Sequence, residues 1–138
     1  MHQISSKALH KVITRQSKNN GSEFTIRSSK SGKDFTYKIS RSLYNDKWYT
    51  HVYVETNYLS FTKLGHYSGG KIWSKGSIVS TQSALGIAFI LEKVESENFE
   101  LLDKICQVFH LGNCLVCGKV LTDANSIEIG LGPHCRTK

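Results

Sequence analysis

Asp34-Phe-Thr-Tyr-Lys-Ile-Ser40 and, beyond a turn at Leu43-Tyr-Asn-Asp-Lys47, Trp48-Tyr-Thr-His-Val-Tyr-Val-Glu55 alternate apolar and polar side chains. Successive side chains of a strand point to opposite faces, so this spacing predicts two strands that each bury one face. Upstream, Glu23–Ser28 alternates in the same way through Phe24 and Ile26, and Ser29-Lys-Ser-Gly32-Lys33 reads as a turn. Downstream, Asn57 turns the chain into Tyr58–Tyr67, and Gly69-Gly70 leads to Lys71-Ile72-Trp73. In the strand from Trp48, the pattern is expected to set Trp48, His51, Tyr53 and Glu55 opposite Tyr49, Val52 and Val54, which requires an irregularity. Aromatic and β-branched residues between Gly/Asn turns predict an antiparallel meander. Proline is absent from this whole region, as unbroken ladders require.

Helical spacing brackets the strands. Ile4, Ala8, Leu9, Val12 and Ile13 predict a helix over 4–16, capped by Ser5 or Ser6, with Lys7, Lys11, Arg15 and Lys18 on another face. The polar run from Ser17 to Ser22 should stop it. From residue 80 the period returns to 3.6. Ser80 or Thr81 caps a helix through Ala84, Leu85, Ala88, Phe89 and Leu91 to about Val94. Ser96 or Asn98 starts another, with Phe99, Leu102, Ile105, Cys106 and Phe109 inward. The expected architecture is α+β: an N-terminal helix, an antiparallel meander covered by helices, and a C-terminal zinc knuckle of treble-clef or ribbon type. The boundaries follow as a basic α+β domain over 1–110 and a zinc-knuckle module over 111–138.

The knuckle is read from His110-Leu-Gly-Asn-Cys114-Leu-Val-Cys117-Gly118, answered by Gly130-Leu-Gly132-Pro133-His134-Cys135. Two thiols separated by two residues and followed by Gly supply half of a tetrahedral S/N zinc site. Cys135 is the third candidate ligand, and the fourth is contested between His110, His134 and Cys106. His134 is adjacent to Cys135, and neighbouring side chains rarely converge on one ion. Cys106 falls on the expected apolar helix face, so His110 is the preferred fourth ligand. With four ligands, three of them thiolates, the single Zn2+ is expected to be structural.

The stretch Cys114-x-x-Cys117-Gly118-Lys-Val-Leu121-Thr122-Asp-x-x-Ser126-Ile127-x-x-Gly130-Leu-Gly132-Pro133-His-Cys135 resembles the C-terminal zinc-binding module of a family of small, mostly phage-encoded proteins of unknown function. A His four residues before the first Cys recurs there, which favours His110. The resemblance covers about residues 108–136. It implies a zinc module and a viral source, and no reaction. His134 departs from the acidic or polar residue that the family places before the last Cys.

The 138 residues are sufficient for one domain with a small zinc appendage. No apolar run is long enough to span a membrane, and the N-terminus lacks the apolar stretch of a secretory signal, so a cytoplasmic protein with reduced cysteines is expected. Residues 1–79 hold 13 Lys/Arg against 4 Asp/Glu, whereas residues 80–138 hold 5 against 7. That asymmetry points to a polyanion-facing surface on one side.

Enzymatic chemistry is not visible. No phosphate-binding glycine loop stands between a strand and a helix, and the four acids of residues 1–79 are widely separated. The expected function is therefore non-catalytic binding of nucleic acid, DNA or RNA. Lys7, Lys11, Arg15, Arg27, Lys30, Lys33, Lys38, Arg41, Tyr44 and Lys47 are the candidate contacts. The alternative is a phage effector whose basic surface occupies an acidic host protein complex, such as RNA polymerase, a nuclease or a defence system.

Overall fold

Alternation in the meander region produces five strands joined by short turns, and a sixth pair of residues extends the series. The computed structural model of the protein describes residues 1–16 and 21–136. The expected turn at 17–20, with Lys18, lies outside them. In chain order the elements are β1 His2–Ile4, α1 Ala8–Thr14, β2 Ser22–Ser28, β3 Asp34–Tyr44, β4 Lys47–Asn57, β5 Ser60–Ser68 and β6 Lys71–Ser74. Then follow β7 Ser77–Ile78, α2 Gln82–Glu95, α3 Phe99–Ile105, β8 Cys106–His110, α4 Ala124–Ile129 and α5 Pro133–Arg136. All eight strands form one antiparallel sheet in the order β1-β8-β2-β3-β4-β5-β6-β7.

The β3–β4 hairpin runs in unbroken register from Tyr37 opposite Val54 to Tyr44 opposite Lys47. Asn45 and Asp46 both take positive φ, as a two-residue turn of the right twist demands. The register corrects one expectation. Trp48 shares a face with Thr50, Val52 and Val54, while Tyr49, His51, Tyr53 and Glu55 share the other. The irregularity lies instead between β4 and β5, where the pairing shifts at Val52/Tyr53 and again at Glu55/Asn57.

Two other expectations are corrected at the sheet's far side. The helix over 4–16 begins only at Ala8, because residues 2–4 pair with β8 as an edge strand. Asp103 fixes the start, accepting the Ser6 N–H at 2.9 Å and the Ser5 hydroxyl at 3.1 Å. The helix expected to run to Phe109 ends at Ile105. Cys106-Gln-Val-Phe-His110 also alternates, and as β8 its backbone is paired on both sides, to β1 and to β2. A helix there could satisfy its backbone only internally and would leave β1 without a partner and β2 as an edge strand paired to β3 alone.

One face of the sheet is the core. Phe24, Tyr37, Ile39, Val52 and Ile72 pack with Leu9 and Val12 of α1 and with Ala84, Ile87 and Leu91 of α2. Burial of that apolar surface supplies most of the folding free energy, at roughly 25 cal/mol per Å². The Tyr37 hydroxyl donates to the Ser83 carbonyl at 2.8 Å, which ties α2 to the sheet. The α2 N-terminus is capped by Thr81, as expected for Ser80 or Thr81. Cys114, Leu115, Leu121, Leu131 and Cys135 belong to the same apolar cluster. On the opposite face of β3–β6 no residue is fully buried. Among the described residues no helix is long and apolar enough to cross a membrane.

Gly65 sits at the first β4–β5 register shift with φ of +150°, and a Cβ there would overlap the Trp73 carbonyl oxygen. Gly69, at φ of +57°, has open space around it. Gly65→Ala is expected to cost about 3 kcal/mol or more, against about 1 kcal/mol for Gly69→Ala, in urea unfolding. Equal midpoints for the two variants would contradict this packing at β6.

Candidate metal centre

Strand β8 delivers the chain into the knuckle. Leu111-Gly-Asn113 turns out of the sheet, and a bridge between Asn113 and Val120 closes a small hairpin around Cys114–Cys117. Its hydrogen bonds run from Cys114 N–H to the Lys119 carbonyl at 2.8 Å and from Gly118 N–H to the Cys114 carbonyl at 2.9 Å. Gly118, at φ of 79°, takes the left-handed conformation this turn needs. The Asp123 carboxylate caps α4, accepting the Ser126 N–H at 3.0 Å, and Gly130 ends it in the left-handed region. The Gly130 carbonyl then accepts the Leu115 N–H at 3.0 Å, and Pro133 opens α5, which carries Cys135.

This path brings the sulfurs of Cys114, Cys117 and Cys135 within 4.8 Å of one another, close enough to hold a metal ion. Cys114 and Cys135 are buried and Cys117 is exposed. Burial works to raise the Cys114 thiol, but N–H groups of Cys117, Gly132 and Val116 aimed at its sulfur hold it below the ordinary value. The Gly132 N–H lies 3.3 Å from that sulfur. Cys135 is pushed up to about 12, by burial first and then because its thiol donates hydrogen bonds to its two cysteine neighbours. Three thiolates at this spacing repel one another unless a cation joins them, so metal uptake here releases protons.

His110 is not among the three. It is fully buried at the end of β8, stacked on His2 at 4.9 Å between ring centroids. Nδ1 accepts the Gly112 N–H at 3.0 Å, which leaves Nε2 protonated and donating to the Ile127 carbonyl at 2.5 Å. Its ring therefore fastens the exit of β8 to α4. Cys106 donates its thiol to the Leu102 carbonyl at 3.3 Å, and burial raises it to about 11. His134 is exposed on α5 and is not part of the sulfur cluster.

The candidate contact residues are divided among several surroundings. Arg15 is buried, 7% exposed, with its guanidinium donating to the Ser22 hydroxyl at 2.5 Å and to the carbonyls of Ile39, Leu115 and Val116. Burial, then the nearby Arg41 charge, lowers it to about 10, partly offset by Cys114. Arg41 also points inward, donating to the Arg15 carbonyl at 3.0 Å and to Thr50 Oγ1 at 2.8 Å. These two arginines hold the structure together and present no free cation. Lys7, at the N-cap of α1, and Lys11, on that helix, stand on the helix-covered side, and Lys33 reaches Gln82 of α2 at 3.0 Å. Lys30 is exposed in the β2–β3 turn. Arg27 is paired with Asp34 at 2.7 Å and lies over the Phe109 ring.

Lys38, Lys47 and Tyr44 do lie on the open sheet face. Lys38 Nζ is 5.5 Å from the Tyr53 ring centroid and 4.6 Å from that of Phe61, and Lys47 Nζ is 5.5 Å from that of Tyr49. Tyr44 meets Tyr49 edge-on. Tyr53 and Phe61 were missing from the sequence-based set of contacts. Their signal was available in the pairing rule: Tyr53 is the cross-strand partner of Lys38.

Residues 107–138 match a family described as "Family of unknown function (DUF6011)". The similarity is confined to β8 and the cysteine module. No curated protein matches the chain, and no solved structure matches it.

Burial foremost lowers the His110 pKa from its ordinary 6.5, with the His2 and N-terminal charges adding to it and the Ile127 bond opposing. A histidine depressed in the folded state contributes stability that is present above the unfolded pKa and lost as pH falls toward the folded one. Metal-free wild type, held in chelator, should lose stability from pH 7.5 to pH 5.5 by more than His110→Gln does. Parallel curves would contradict the neutral, doubly bonded imidazole.

Proposed function

We propose that Cys114, Cys117 and Cys135 hold one structural zinc ion, and that the open face of β3–β5 binds single-stranded nucleic acid. Zinc is favoured by the donor set: soft thiolates arranged around one point, two of them on a glycine-bounded knuckle with backbone N–H groups aimed at sulfur. A knuckle followed by a short helix carrying the next cysteine is a treble-clef-like arrangement. The ion neutralises the thiolates and fastens α5 to the knuckle. The phage source implied by the sequence resemblance, and a cytoplasmic site of action, belong to the same reading.

The observation that carries the nucleic-acid reading is the placement of Lys38 and Lys47 over Tyr53, Phe61 and Tyr49 on an uncovered sheet face. Aromatic rings accept stacked bases whatever their sequence, and adjacent ammonium groups neutralise the phosphates between them. Tyr44, 66% exposed, extends the platform toward the hairpin tip, while Glu23 and Glu55 mark its margins.

For the ion, metal analysis of chelator-free protein should give one zinc per chain. Cys117→Ser should abolish it, with residues 111–136 losing amide protection while the sheet persists. Stoichiometric zinc in that variant would overturn the ligand assignment. For the face, fluorescence anisotropy with labelled oligo-dT and oligo-rU should show binding that weakens about tenfold or more from 50 to 200 mM salt. Tyr53→Ala and Lys38→Glu should each weaken it at least about fivefold, and Lys7→Glu much less. No salt-dependent binding, together with a host protein retained from nuclease-treated lysate, would replace this reading with the effector alternative.

A further inference from the structure

Three thiolates leave a tetrahedral zinc ion one ligand short, and the residue expected to complete the set is committed elsewhere. Both His110 ring nitrogens are hydrogen-bonded, one to the Gly112 N–H at 3.0 Å and one to the Ile127 carbonyl at 2.5 Å. Turning that ring toward the sulfurs would leave the Ile127 carbonyl and a fully buried imidazole without these partners, at a cost of roughly 1–3 kcal/mol for each group. The Cys106 thiol is bonded to Leu102 within the core. Residues 17–20 and 137–138 contain no His, Cys, Asp or Glu.

A cavity of about 400 Å³ opens beside the knuckle, lined by Gly21, Glu23, Leu111, Asn113, Cys114, Cys117 and Gly118. Two of the three cysteines border it. Glu23 is the only carboxylate on that wall. The β2 register fixes its position: Phe24 pairs with His110, so Glu23 stands one residue further toward the chain that enters the knuckle. Its carboxylate is exposed and takes part in no salt bridge or side-chain hydrogen bond among the described residues. The Glu23 carboxylate stands outside the sulfur cluster itself and would join it by rotation about the three bonds of its side chain. A carboxylate oxygen is an accepted zinc ligand at about 2.0–2.2 Å.

We propose that Glu23 supplies the fourth ligand, making the centre Cys3Glu and joining the knuckle to β2 through the metal. The proposal rests on the zinc reading above. The weak, solvent-facing carboxylate makes this the exchangeable position of the site, while the three sulfurs stay fixed.

X-ray absorption at the zinc edge on the full-length, zinc-loaded protein tests it without any substitution. Three sulfurs at about 2.3 Å and one oxygen, with no outer-shell imidazole pattern, are expected. Cobalt(II) replacing zinc gives a second readout: Glu23→Gln should shift the visible d–d bands and weaken zinc binding at least tenfold, and His110→Gln should leave the bands in place. An imidazole pattern, a fourth sulfur, or a Glu23→Gln protein with unchanged bands and affinity would overturn the Glu23 assignment while leaving zinc itself in place. A wild-type protein that takes up neither zinc nor cobalt would overturn the zinc reading and this proposal together.

Discussion

The pairing of β8 on both sides is the constraint on which the rest of the molecule depends. Five residues, Cys106–His110, close the gap between β1 and β2 and place the next residues at the sheet's rim. Without β8, β2 would be an edge, the N-terminal strand would have no neighbour, and the cysteine module would hang from a helix. With it, Val108 joins the core, Phe109 lies beneath Arg27, and His110 leaves the strand already bonded to α4. Backbone pairing on two sides decides against a helix that local spacing alone supports equally well.

A second constraint is the buried Arg15. Its guanidinium links the end of α1 to β2, to β3 and to the carbonyls of the knuckle, and Arg41 braces it from β3. The Ser22 hydroxyl bonds to the Leu115 carbonyl in the same cluster. A buried guanidinium needs acceptors for its donors, and here Nη1 and Nη2 find them in the Ser22 hydroxyl and in backbone carbonyls from separate parts of the chain. The module therefore packs against the sheet through polar contacts as well as through Leu115 and Leu131.

The meander was legible because its strands are long, alternate cleanly and end in Gly or Asn turns. Phe24, Tyr37, Ile39 and Val52 could be assigned to one face from spacing alone. The sulfur cluster was legible for a different reason: CxxCG with a later cysteine is a chemical pattern that survives ignorance of the fold. What could not be read depends on contacts distant in sequence. Cys106–His110 fits both a helix and a strand period, and only the partners at 2–4 and 24–28 settle the matter. Arg15 looks like a surface cation on a helical wheel, because its acceptors lie 7 to 101 residues away. Strand register makes Tyr53 and Phe61 neighbours of Lys38: the unbroken β3–β4 hairpin makes the first legible, and the β4–β5 register shifts hide the second.

Charge composition overstated the basic surface. Of the ten candidate contacts, two are internal, others decorate the helix side or pair with acids, and a smaller group with aromatic neighbours occupies the open face of β3–β5. That face, rather than net charge, is what the proposed function rests on. Its most direct test is a backbone amide NMR titration of the zinc-loaded protein with a short single-stranded oligonucleotide. The account requires the largest shifts at Lys38, Tyr49, Tyr53, Phe61 and their strand neighbours, with α1 and α2 unmoved. Shifts centred on α1, or none at all at millimolar oligonucleotide, would contradict it.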